Sequence, residues 1–128
     1  MSDSFADMKN SKSEILNTKQ ISNFQITKFK RYDLEERTYF FARRVNEYVR
    51  QLPRTISNVE NGKQLVRSSG SVGANYIEAN ESLSRKDFKM RIKICKKETK
   101  ESRYWLKLTW PLEKAQQENE ALIIEATE

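Results

Sequence analysis

Seven basic side chains, Lys86, Lys89, Lys93, Lys96, Lys100, Arg103 and Lys107, follow one another in alternating steps of three and four. On a helix such steps place all seven along one stripe. At 1.5 Å per residue the stripe runs roughly 30 Å. An unbroken line of one charge sign focuses an electrostatic field, and polyanions respond to that field. Two other readings fit the same residues. The stripe is a solvated face, or it is held by ion pairs to an acidic neighbour. Residues 111–128, with five acidic side chains against one basic, are such a neighbour.

Other chemistry is thinly supplied. The chain has no histidine, which removes Ser-His and Cys-His nucleophile pairs, histidine metal sites and the commonest general base. It also removes the Arg-x4-6-His motif of small helical RNases. Glu98 with Glu101, and Glu78 with Glu81, are three apart and read as surface pairs. Without a Glu-x-x-His they do not make a bundle metal site. Gly70 to Ala74, GSVGA, lacks the spacing of a phosphate-binding loop and follows no strand. Cys95 stands alone and reads as a buried thiol. Trp105 and Trp110 have faces on which bases stack, but burial in the core or at an interface is the expected use. No catalytic residue, metal or cofactor is expected.

The elements that must carry the stripe are helices. Apolar residues are 37% and charged residues 33%, with three Gly and two Pro, a balance that favours a helical protein with a charged surface. Residues 1–30 are rich in Ser, Asn, Thr and Lys without a sustained period, and read as a mobile N-terminal extension. A four-helix domain is expected over 31–128. Asp33 and Glu36 resemble a capping box, after which Leu34, Thr38, Phe41, Val45, Tyr48 and Leu52 step along one face until Pro53 stops the helix. Ser57 and Glu60 make a second capping box and open a helix whose packing face contains small residues. Leu65, Ser69, Val72, Tyr76 and Ala79 form one seam; Val66, Gly70, Gly73, Ile77 and Asn80 form another beside it. A helix packed against two neighbours needs both.

The third helix, roughly 85–109, is capped by Ser84, with Leu83 stapled onto Phe88. Phe88, Ile92, Cys95, Thr99, Ser102 and Leu106 should face the core, with the basic stripe one residue on. Met90, Ile94, Trp105 and Leu108 add apolar surface on the other flank. Ile94, Trp105 and Leu108 are therefore the expected oligomer interface. Pro111 opens a short acidic fourth helix, its face made by Leu112, Ala115, Leu122 and Ala126, with a gap at Asn119. The fold class is all-α, an antiparallel up-down four-helix bundle. No signal-like h-region and no membrane-length apolar run occur, so a soluble cytoplasmic protein without membrane contact is expected.

Asp33-Leu34-Glu35, followed by QLVRSSGSVGANYIEANESLSRKDFKMRIKICKKETKESRYWL from Gln64 to Leu106, resembles the small "four helix bundle protein" family. Its members are also called 23S rRNA intervening sequence proteins. The resemblance covers about residues 31–110. It is most specific in Arg67-Ser68-Ser69, in Ser71 to Ala79, and in Lys96-Lys97-Glu98 with Glu101 to Leu106. It implies an antiparallel bundle that assembles as a ring-like homopentamer, without catalytic residues. One branch, the accessory proteins of diversity-generating retroelements, binds nucleic acid and a reverse transcriptase through a basic surface. Family members start later and carry the fourth helix beyond Ala126-Thr127-Glu128, so part of the core seam is expected to lie uncovered. Contact with RNA or DNA is the reading carried forward. The alternative is a protein-interaction scaffold whose stripe is neutralised by acidic residues such as Glu113, Glu118 and Glu120 of a neighbour.

Overall fold

The computed structural model describes residues 23–127, with side chains from Leu34 onward. Four helices occur in it: α1 (Asn23–Arg50), α2 (Ile56–Asn80), α3 (Arg85–Leu108) and α4 (Gln116–Thr127). A 3-10 turn, Glu113–Ala115, leads into α4. No strand occurs among the described residues. The bundle lies within one compact unit, Leu34–Glu128.

α1 begins at Asn23 rather than after Asp33. No Pro or Gly falls between Asn23 and Arg50, so nothing breaks the helix where the Asp33–Glu36 pair suggested a start. Of the extension expected over 1–30, residues 1–22 lie outside the described residues. The cap of α2 lies two residues before the Ser57 of the expected Ser57–Glu60 pair. Thr55 is the cap: its hydroxyl accepts from the Asn58 N–H at 3.2 Å, and its own N–H donates to the Pro53 carbonyl. Ser84 caps α3 as expected, accepting from the Asp87 N–H at 3.1 Å. The staple beside it does not form, because Leu83 is fully exposed and Phe88 is partly so.

Cross-helix contacts show that successive helices run antiparallel. Between α2 and α3, Ser68 meets Ser102 through their hydroxyls at 2.9 Å, and Arg91 reaches Asn75 and Glu78. Between α1 and α4, Arg44 pairs with Glu118 and Arg37 with Glu125. Phe41, Val45 and Tyr48 of α1, with Leu52 just beyond its end, join Leu65, Leu106, Leu122 and Ala126 in one core. Burial of such side chains supplies most of the drive to fold.

α2 does pack against two neighbours, though not along the two seams expected. The first seam, Leu65, Ser69, Val72, Tyr76 and Ala79, is buried throughout. In the second, Val66, Gly70, Ile77 and Asn80 are exposed, and a Cβ on Gly70 would meet nothing. α1 instead comes close at Gly62 and Gly73, eleven residues and three turns apart on one line. A Cβ on Gly62 would lie 3.2 Å from Val49, and one on Gly73 3.3 Å from the Thr38 hydroxyl. Gly73→Leu should therefore overpack the α1–α2 contact and cost about 1–3 kcal/mol. An unchanged urea midpoint for that variant would contradict the close approach.

The gap at Asn119 is filled by polar chemistry. Asn119 is buried; its amide donates to the Leu106 carbonyl at 3.0 Å and to the Tyr48 hydroxyl at 2.8 Å. Thr109 donates its hydroxyl proton to the Leu106 carbonyl, so at the 2.7 Å contact between Tyr48 and Thr109 the tyrosine is the donor. Burial pushes the Tyr48 phenol above its usual pKa, against the opposing effect of these two hydrogen bonds. Leu112 falls outside the α4 face, before the 3-10 turn, and is exposed.

Candidate functional site

The core-facing line of α3 sets where the stripe lies. Cys95, Ser102 and Leu106 are buried, Ile92 and Thr99 half-buried. Rotated one residue on, Lys86, Lys89, Lys93, Lys96, Lys100 and Lys107 are all exposed. Arg103 is half-buried, and its Nε is enclosed without a hydrogen-bond acceptor. The stripe is thus one continuous cationic flank with a single inward member.

Several acidic side chains of α2, α3 and α4 are engaged with arginines outside the stripe. On the α2 side, Arg67 holds Glu101 at 2.9 Å and approaches Glu98, while Arg91 holds Glu78 at 3.1 Å. On the α4 side, Glu118 and Glu125 go to Arg44 and Arg37 of α1, not to α3. Among the described residues, none of the seven stripe cations has an ion-pair partner. No described residue of the acidic tail forms an ion pair with the stripe. Glu98 is not the surface residue its spacing suggested. It is buried against α2, with one carboxylate oxygen lacking a hydrogen bond and Arg67 3.9 Å away.

The flank intended for oligomer contact is mixed. Ile94 is half-buried, Leu108 is more open, and Trp105 packs partly on the core of its own chain with its indole N–H enclosed and unpartnered. Trp110 is 75% exposed, so it is not buried in the core of its own chain. Cys95 is buried and reduced, donating weakly to the Val72 carbonyl, and burial raises its thiol pKa. An unreactive structural thiol follows.

Beneath the middle of the stripe, α1, α2, α3 and the last turn of α4 enclose an open cavity of about 460 Å³. Its interior is largely apolar, formed by Phe41, Val72, Ile92 and Cys95 among others. Lys96, Lys100 and Arg103 border it from the stripe. Arg37 borders it too, bound to Glu125 by two hydrogen bonds of 3.1 and 2.8 Å. The spacing of α3 alone gave no sign of this cavity, because four helices build it.

Among the described residues no group of potential ligands can hold a metal ion, and no helix is long and apolar enough to cross a membrane. A sequence model of the family described as 23S rRNA-intervening sequence protein matches residues 30–128. The chain belongs to this family. Comparison with curated proteins gave no match. Among solved structures, the chain is similar to a protein of unknown function from the S23 ribosomal protein family of Bacteroides thetaiotaomicron. The two are 28% identical, with a TM-score of 0.63 over 77% of this chain and 88% of that one. The shared family and fold agree with the four-helix bundle.

Proposed function

We propose that this 23S rRNA-intervening sequence family protein is a non-enzymatic, cytoplasmic, oligomeric bundle whose α3 stripe contacts RNA or DNA through phosphates. The observation that carries the reading is the set of exposed, unpaired stripe cations beside carboxylates already bound to other arginines. Phosphate contacts of this kind supply affinity without reading sequence. The names of the family and of its structural neighbour refer to ribosomal RNA and a ribosomal protein, which makes RNA the first polyanion to try. In a retroelement setting the same face would serve a reverse transcriptase and its template. The non-enzymatic part of the reading rests on the missing histidine. A gel-shift titration at about 50 mM salt should show binding to RNA and DNA of unrelated sequence. No measurable affinity for either would end the reading.

Self-association draws support from apolar side chains left open on α3 and α2, namely Met90, Leu108, Val66 and Ile77. Light scattering on the purified protein should give a multiple of the 15.2 kDa chain. Five copies are expected from the family resemblance. A monomer at micromolar concentration would contradict it. Ile94→Ser with Leu108→Ser is the better disrupting pair, since Trp105 also supports its own core.

A further inference from the structure

We propose that the cavity beneath the stripe receives one unstacked nucleobase, so that the nucleic acid bound is single-stranded. The proposal rests on the polyanion reading above and adds a second, independent observation to it. Lys96, Lys100 and Arg103 belong at once to the stripe and to the border of the cavity. A strand whose phosphates follow the stripe is thereby carried past the cavity mouth. The space, about 460 Å³, is within the range that small ligands occupy and has room for a base with its sugar. Its apolar interior suits the face of a base, as Phe41 and Val72 illustrate.

Arg103 supplies the polar element. Its guanidinium group borders the cavity and carries several N–H donors besides the enclosed Nε. Carbonyl oxygens and ring nitrogens on base edges are acceptors of the right kind. Glu125, the acidic residue at the border, is held by Arg37, which offsets its repulsion of a strand. A duplex keeps its bases stacked inside and can offer the stripe only phosphates, whereas a single strand splays bases into such sites.

The test compares a labelled oligodeoxythymidine with an abasic strand of equal length, by fluorescence anisotropy at about 50 mM salt. Both carry the same phosphate charge, and only one has bases. The base-bearing strand should bind at least about fivefold more tightly, the low end of what one stacked base contributes. Thr99→Phe places a ring in the cavity from a half-buried position on α3. It should erase that advantage while leaving the affinity for the abasic strand and the helical circular dichroism unchanged. Equal affinities for the two strands in the unaltered protein would overturn the base pocket and leave the phosphate reading standing. An advantage that persists in folded Thr99→Phe would also overturn it, placing the base contact on exposed rings such as Trp110. Binding of neither strand would remove the polyanion reading and this proposal with it.

Discussion

Asn58→Ala should lower the unfolding free energy by about 2–4 kcal/mol, a large loss for one polar side chain. Asn58 is 2% exposed and serves the backbone of two connections at once. Its amide nitrogen donates to the Pro53 carbonyl at 2.9 Å and to the Trp110 carbonyl at 3.0 Å. Its amide oxygen accepts from the Trp110 N–H at 2.8 Å. One side chain thus ties the α1–α2 turn to the α3–α4 turn. Alanine would leave the Trp110 N–H and carbonyl without these partners and would remove one of the two donors to the Pro53 carbonyl, which keeps the Thr55 N–H. Unmet groups cost more than made hydrogen bonds return. Asn58→Asp keeps the acceptor for Trp110 and loses both donated bonds, so it should also destabilise. Urea denaturation followed by circular dichroism measures both, and a loss below about 1 kcal/mol for Asn58→Ala would show that the two turns hold without it.

Reversing Lys93, Lys96 and Lys100 to Glu should abolish nucleic-acid binding and leave the fold intact. All three are exposed, and none has an ion-pair partner among the described residues. The reversal moves the local charge by six units within two turns of helix, so phosphates that were attracted are repelled. The scaffold alternative pairs the outcomes the other way. If the stripe's partners are Glu113 or Glu120 of another copy, charge reversal breaks the assembly first. Glu118 is less available for that role because Arg44 of its own chain holds it. Gel shift and light scattering on the same variant separate the two: lost binding with unchanged mass supports phosphate contact, and lost mass supports the scaffold.

Which features were legible in the amino-acid pattern follows from what each depends on. Apolar periodicity reports burial directly, so Phe41, Val45 and Tyr48 on α1, Leu52 just after it, and Leu65, Val72, Tyr76 and Ala79 on α2 were readable as core. Pro53 and Ser84 were readable because each acts within its own turn. The start of α1 was not, because the weak period before Asp33 masked an uninterrupted helix former. Val66 and Ile77 look like core by type, yet no other described helix covers them. Asn119 and Asn58 look like interruptions or loop residues, since the partners that make them structural lie 71 and 52 residues away. The cationic stripe needed one helix and was visible. The cavity and the inward turn of Arg103 need four, and the engagement of Glu118 and Glu125 by α1 depends on how the helices pair.

The most direct measurement of the central claim is the salt dependence of binding. Association constants for a single strand and for a duplex would be taken between about 50 and 200 mM salt and plotted logarithmically. Three to five phosphates engaged by the stripe predict a slope of roughly −2 to −4.5, steeper per contact on duplex than on single strands. In the Lys93, Lys96 and Lys100 reversal no such slope should be measurable. A slope near zero in the unaltered protein, or one that the reversal leaves unchanged, would contradict a stripe that meets phosphates.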